Sequence, residues 1–470
     1  MDYEVAIIGG GVVGCAILNK LTRHGVSCVL LEKANDVAMG ASKANSGIVH
    51  AGFDCKPNTL KARFNVRGNQ LFHTLCPQLK VPLKQCGAIV VGNDQSVVED
   101  LYNRGIANKV EGLSILDRAG LLELVPNLNE NITCGLYAKT SCIVSPYMFT
   151  IALAEEAVIN GAKVLFNTQV KQCKKVDGLF NLIGDNLDIK VKYVINSAAN
   201  GYNDVANILG SENYDIKYRR GEYFLLDNTV DITDLTIFPL PSKAGKGVLI
   251  SPTADGNTIV GPTSIPSDDS TMTTTDGLND VKEKSKMILD VPFNKNIRNF
   301  AGVRVIVGDD FVIEKSNKQQ GVINIAGICS PGLSSAPAIA EYVVEDLLGY
   351  KGKEIDVKPR TPYTVLSQLS GEERNKLIKS NSDYGKIVCK CECVSLGEIK
   401  EALNSPLKPN SVDAIKRRVR AGMGRCQGGF CLTKVIQTIS QTLNIPMDNV
   451  VKENMGSNYY VSSINPEIKE

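Results

Sequence analysis

The stretch Val5-Ala-Ile-Ile-Gly9-Gly-Gly11-Val-Val-Gly14 decides the fold. Its apolar half, Val5 to Ile8, is a short strand, and Gly9, Gly11 and Gly14 follow at G-x-G-x-x-G spacing. Ile17, Leu18 and Leu21 recur at helical spacing up to Arg23-His24-Gly25, and the run Ser27 to Leu31 then delivers Glu32, eighteen residues after Gly14. Gly9 permits the tight turn, Gly11 lets backbone approach a pyrophosphate, and Gly14 lets helix pack on strand. The helix N-terminus offers unpaired N–H groups to phosphates, and Glu32 can accept ribose hydroxyls. Strand, turn, helix, strand and acid in that order point to an adenine dinucleotide. The acid disfavours a 2′-phosphate, which leaves NAD or FAD.

The next stretch separates the two. Gly40-Ala-Ser42-Lys-Ala-Asn45-Ser46-Gly47-Ile-Val-His50 is a loop of small residues that ends in an alternating, strand-like run. Small residues let backbone lie close to a flat, rigid ring, which favours FAD. Two further small-residue turns precede helices: Asn196-Ser-Ala198-Ala-Asn-Gly201, and Gly327-Ile-Cys-Ser-Pro-Gly332-Leu333-Ser334, after which a helix is expected from Ala338. Either turn can bring backbone to the same cofactor.

The 470 residues suffice for two or three domains, and 43% hydrophobic with 22% charged residues is ordinary for a globular protein. A net charge of +2 points to neither nucleic acid nor an anionic membrane surface. The first strand begins at once, so no secretory leader is expected, and no apolar run reaches membrane-spanning length. Fourteen cysteines in such a chain read as reduced thiols in a cytoplasmic compartment, some of them metal ligands. Residues 214–266 are strand-rich, with a hairpin signal at Asp255-Gly256-Asn257, and should form an antiparallel sheet. The expected architecture is α/β: a Rossmann-like FAD-binding domain (1–75, 145–210 and 300–350) interleaved with an antiparallel-sheet substrate domain (76–144 and 211–299). A polar linker (351–386) and a small, mainly helical cysteine-cluster domain (387–470) follow.

Five cysteines fall in that last domain, as Cys389-Lys-Cys391-Glu-Cys393 and Cys426-Gln-Gly-Gly-Phe-Cys431. Two ligand pairs on turns make a four-thiolate cage of Cys389, Cys391, Cys426 and Cys431, suited to an iron–sulfur cluster, with zinc as the lesser alternative. Cys393 is one ligand too many. Lys416-Arg-Arg-Val-Arg420 could be a docking patch, a ribose-phosphate contact or a solvated helix face.

These residues carry a family resemblance. Ile7 to Gly14, Asn45 to Gly52, Lys56-Pro-Asn-Thr-Leu-Lys-Ala-Arg63, Arg220-Gly-Glu-Tyr223, Ala301-Gly-Val-Arg304 and Ser330-Pro-Gly-Leu333 resemble the D-amino-acid oxidase class of FAD-dependent oxidoreductases. The nearer relatives are glycerol-3-phosphate and L-2-hydroxyglutarate dehydrogenases. The C-terminal cysteines resemble the bacterioferritin-associated-ferredoxin type of [2Fe–2S] domain, which ends the catalytic subunit of anaerobic glycerol-3-phosphate dehydrogenases. The resemblance implies FAD held by the Gly9 loop, Glu32, Lys33, Ser42, Asn45, Ser46, Gly47, Val170, Ala198, Gly327, Gly332, Leu333 and Ser334. It implies His50 beside flavin and substrate and Arg304 on the substrate's anionic group; Arg220 and Tyr223 are expected on the substrate side as well.

Chemistry asks for the same groups. Oxidising a secondary alcohol beside a flavin needs a base for the hydroxyl proton and an anchor that aims the C–H bond. His50, at the end of the flavin loop, suits the proton, with packing against the flavin as its alternative role. His24 reads as a helix C-terminal partner and His73 as structural. Arg304, on an apolar strand, suits an anionic group or else a salt bridge to a structural acid. Arg220 and Lys246 are further candidates. The expected function is therefore FAD-dependent oxidation of a small anionic 2-hydroxy compound. Glycerol 3-phosphate, oxidised to dihydroxyacetone phosphate, comes first, and 2-hydroxyglutarate or an amino acid are alternatives. Electrons leave through the cluster to an acceptor protein or membrane-associated subunit. A non-catalytic electron-transfer flavoprotein is the rival class.

Overall fold

The computed structural model describes residues 1–241 and 247–460, so Lys246 lies outside the described residues. The chain clusters into two compact units, Met1–Leu31 with Ala38–Arg360, and Glu32–Val37 with Thr361–Glu470.

In the first unit, β1 (Tyr3–Ile8), α1 (Val12–Arg23) and β2 (Cys28–Leu31) are followed by α2 (Leu60–Leu79), β3 (Leu187–Asn196), β4 (Ile216–Leu226), β5 (Asn296–Val307), β6 (Val322–Ala326) and α3 (Gly332–Glu341). Lys163–Leu165, β2, β1, β3 and β6 lie side by side in that order and run parallel, with Val312–Lys315 antiparallel at the edge. Val5, Ala6, Ile7, Val29 and Leu30 are fully buried, because a parallel sheet is covered on both faces. The fold is α/β.

A second, nine-stranded sheet pairs β4 with β5 antiparallel from Ile216↔Val307 to Leu226↔Asn296. The hairpin at 255–257 forms, with Gly256 at φ +85° between Leu249–Pro252 and Thr258–Gly261. The sheet is mixed rather than wholly antiparallel: Ala88–Gly92 runs parallel to Thr236–Pro239. More than a hundred residues separate those strands in the sequence, ample for the crossover that parallel neighbours need.

The helix expected from Ala338 begins at Gly332 instead, with Pro337 inside it. The first four N–H groups of a helix lack intrahelical partners, so a proline at the sixth position forfeits only one bond. The polar stretch 351–386 carries a helix, Gly371–Ser380, started by a Ser370/Glu373 capping box. No helix among the described residues is long and apolar enough to cross a membrane.

The second unit is built on α4 (Leu396–Leu403), α5 (Val412–Val419) and α6 (Leu432–Leu443), which bury Ile399, Leu403, Ile415, Val435 and Ile439 together. Its basic run is neither a docking patch nor a solvated face. Arg417 and Arg418 are buried and both bind Asp36 at 2.8 Å, while Arg420 binds Glu392 at 2.7 Å.

Candidate active site

Each glycine of the opening turn has its own local reason. Gly9 sits at φ +113°, where a Cβ would meet the Ser197 carbonyl oxygen at 2.6 Å, so it presses the turn against the Ser197–Ala198 backbone. A Cβ on Gly14 would lie 2.0 Å from the Gly9 carbonyl oxygen, which fixes α1 tightly on β1. A Cβ on Gly11 would meet only Ser42 Oγ, at 3.5 Å, so the α1 N-terminus stays open. Its N-cap residue, Gly11, brings no side chain and its first turn no acid, while Val12 N–H donates to Ser42 Oγ at 2.9 Å. An unblocked N-terminus with a flanking hydroxyl fits a pyrophosphate. Glu32 follows β2 directly, and its carboxylate accepts from Ala34 N–H at 2.8 Å. Lys33 is exposed. Val170 belongs to the buried core beneath this sheet, with Ala198 packed against it.

The loop after β2 is knitted by Asn45, whose side chain donates to the carbonyls of Ala41 and Ser42 and accepts from Gly47 N–H. Gly47, at φ +68°, packs so closely that a Cβ would meet the Val144 carbonyl oxygen at 2.5 Å. The strand Ile48–Val49 leads to His50, whose N–H donates to the buried Ser334 Oγ at 2.8 Å. Ser334 is held in turn by α2, because Gly68 lets the two helices close until its missing Cβ would be 1.9 Å from the Ser334 carbonyl oxygen. Thus the turn of Gly327, Gly332 and Leu333, the start of α3 and the flavin loop are brought together. The His50 ring faces Phe238 at 5.8 Å between centroids, and both line a small cavity with Phe53, Asp54 and Pro239.

The β4–β5 ribbon presents one face to this loop. Gly302 approaches until a Cβ would sit 2.0 Å from the Ala44 carbonyl oxygen. Residues opposite one another in the ribbon put Gly302 with Gly221, Arg304 with Arg219 and Phe300 with Tyr223, all on that face. Tyr223 stacks on Phe300 at 4.8 Å, and its hydroxyl lies beside Ser46 and Arg304. Burial pushes its phenol pKa up, so it stays protonated as a donor. Arg304 lies across Gly221, whose added Cβ would meet Nη2 at 2.6 Å, and donates to the Thr263 carbonyl at 2.8 Å. Arg220 points the other way. It pairs with the buried Glu222 at 2.9 Å on the opposite face, where Glu222 also accepts from Thr274. The structure therefore brings Ser46, His50, Tyr223 and Arg304 to the flavin loop and leaves Arg220 outside. It adds Arg219, Ser264 and Phe238. Strand alternation puts Arg219 on the face of Tyr223 and Arg220 on the other, and the Gly221–Gly302 register shows which of these faces meets the loop.

His24 stands at the C-cap of α1, and His73 lies in α2 with Nδ1 3.0 Å from Gln85 Nε2.

The four cysteines of the cage come together as two pairs. Cys391 Sγ is 3.5 Å from Cys426 Sγ, and the Cys389 and Cys431 thiols interact with each other. The Cys431 partner draws the Cys389 pKa down to about 6, helped by the N–H groups of Gly422 and Glu392, against burial. Burial raises that of Cys426, but the Phe430 and Gly428 N–H groups and Cys391 outweigh it. Four thiols gathered in two pairs and ringed by amides fit a two-iron cluster, for which the protein would supply two thiolates to each iron. Among the described residues no group of three or more His, Cys, Asp or Glu side chains is arranged to hold a single metal ion. Cys393 turns away, towards the Lys390 carbonyl.

Comparison with known proteins agrees with both halves. Residues 4–346 match the family described as FAD dependent oxidoreductase, and residues 387–441 match the BFD-like [2Fe-2S] binding domain. The chain is 43% identical to a glycerol 3-phosphate dehydrogenase of Caloramator mitchellensis over 97% of each chain. An L-2-hydroxyglutarate dehydrogenase of Arabidopsis thaliana is 27% identical, over 73% of this chain and 83% of that one. The solved structure of the FAD-bound L-alpha-glycerophosphate oxidase from Mycoplasma pneumoniae superposes with a TM-score of 0.70 at 30% identity, over 76% of this chain and 96% of that one.

Proposed function

The chain belongs to the FAD dependent oxidoreductases and carries a [2Fe–2S] domain, and from that premise we propose that it oxidises sn-glycerol 3-phosphate to dihydroxyacetone phosphate. The observation that carries the reading is the likeness to the Caloramator enzyme, which runs through the flavin and cluster modules alike. The site's charge agrees, since Arg304 meets no carboxylate within ion-pair reach among the described residues.

When bound, FAD supplies the two-electron acceptor for the hydride, and the cluster supplies a one-electron outlet. His50 accepts the hydroxyl proton of the substrate, from a backbone pinned by Ser334. Arg304 holds the phosphate, and the Tyr223 hydroxyl, beside Ser46 and Arg304, orients the glycerol chain. Gly9, Gly11, Gly14, Glu32, Lys33, Ser42, Asn45, Ser46, Gly47, Val170, Ala198, Gly327, Gly332, Leu333 and Ser334 form the cradle for FAD. Cys389, Cys391, Cys426 and Cys431 hold the cluster. Domain boundaries near residues 75, 145, 210 and 300 would divide the first unit into FAD and substrate parts. The electron acceptor is a protein, docked at a membrane or in the cytoplasm. All fourteen cysteines are unbridged, which supports a reducing compartment.

The test is an anaerobic titration watched at the flavin band. Glycerol 3-phosphate should bleach it, while 2-hydroxyglutarate, lactate and amino acids should not. Bleaching by one of the latter alone would replace the substrate, and bleaching by none would return the chain to a non-catalytic carrier. Arg304→Lys should raise KM strongly, since an ammonium cannot make the bidentate contact. An unaltered KM would remove its anchoring role.

A further inference from the structure

We infer that Arg219 is the second cation of a phosphate-selective subsite, and so the residue that separates a phosphate monoester from a carboxylate substrate. The inference rests on the glycerol 3-phosphate reading above and deepens it.

Arg219 and Arg304 are direct cross-strand partners on the ribbon face that meets the flavin loop. Their heads converge on one serine. Arg219 Nε donates to Ser264 Oγ at 2.9 Å and its Nη2 to the Ser264 carbonyl at 2.5 Å. Arg304 Nη1 donates to the same Oγ at 3.3 Å, and its Nη2 to the Thr263 carbonyl at 2.8 Å. Among the described residues no carboxylate lies within ion-pair reach of either guanidinium, and Arg219 Nη1 donates to nothing. The neighbour Arg220, one residue along, is satisfied by Glu222.

Two like charges held side by side against a neutral serine and two carbonyls, both half-buried and with no carboxylate beside them, make a site that an anion would stabilise. One guanidinium fork matches the two oxygens and single charge of a carboxylate. A phosphate monoester offers three terminal oxygens and a charge of about −1.5 to −2 at neutral pH, enough for two forks. Arg304 alone would therefore serve a hydroxy acid, and Arg219 beside it selects the phosphate. A residue that merely braced the Thr263–Ser264 turn would give no such discrimination.

The test uses the full chain loaded with FAD and cluster, with Arg219→Gln and Arg219→Lys compared with the parent. Glycerol 3-phosphate kinetics are read as KM and kcat. Inorganic phosphate and acetate are titrated separately, without turnover, by their perturbation of the flavin spectrum. Arg219→Gln should raise KM, and the dissociation constant for phosphate, by about tenfold or more, the loss of a charge-assisted contact. Its kcat should hold within about threefold, the signature of a ground-state contact. Acetate binding should barely change, and Arg219→Lys should recover part of the loss. Phosphate binding within twofold of the parent in both variants overturns the inference, as does an equal weakening of acetate. A parent protein that glycerol 3-phosphate does not bleach would instead overturn the substrate reading, while the phosphate titration still decides Arg219.

Discussion

At the scale of single residues the site depends on side chains that are absent as much as on those present. His50→Ala should retain FAD, because its backbone N–H still reaches Ser334, yet slow flavin reduction by about 10²–10⁴-fold, as for loss of a general base. Stopped-flow reduction of the loaded enzyme checks this, and an unchanged rate would leave His50 a packing role. Gly221→Ala should push Arg304 aside, since the new Cβ would start 2.6 Å from Nη2. Raised KM with a stability loss of about 1–3 kcal/mol is expected, measured by steady-state kinetics and thermal melting. These residues were unequally legible. Gly9 and Gly14 could be placed from spacing alone, and His50 from its position at the end of the small-residue loop together with the family resemblance. Arg219 could not be ranked above Arg220, because one step along a strand reverses the face, and only the Gly221–Gly302 register says which face meets the flavin loop.

At the scale of elements, caps and buried ion pairs decide where helices hold. In the second unit Asp36 meets the two arginines of α5. Burial by itself would raise its pKa, but Arg418 and Arg417 outweigh it and hold the carboxyl down to about 2. A carboxylate with a depressed folded pKa stabilises above its unfolded value and loses that contribution as pH falls through the folded one. The pair should therefore add about 2 kcal/mol at neutral pH and lose it between about pH 4 and pH 2. Asp36→Asn should destabilise this unit by about 3–5 kcal/mol, because two buried guanidiniums lose their counter-charge. Chemical denaturation at pH 7 and pH 3 tests both statements: the gap between parent and variant should narrow in acid. The basic run was visible in the sequence, but its partner lies some 380 positions earlier, and nothing local announces so distant a carboxylate. The early start of α3 escaped for a related reason. Pro337 looks like a boundary until the packing of Gly68 against Ser334 is seen.

For the molecule as a whole, oxidation chemistry and electron exit belong to different modules of one chain. Cys426→Ser should lose cluster absorbance and keep the anaerobic bleaching of flavin by substrate. Electron paramagnetic resonance after substrate addition should show a reduced cluster in the parent and none in the variant, and a persisting signal would remove Cys426 from the cage. The sequence by itself determined the modules and their cofactors. A glycine turn with its acid and a cluster of cysteines are short-range patterns, and short-range patterns follow from backbone geometry and ligand chemistry. What the tertiary structure decided is which side chains share a space. It chose Arg219 over Arg220, gave Asp36 to α5, and set the thiols in two pairs. Those choices depend on sheet register and helix packing between segments far apart in the chain, where no local spacing rule applies.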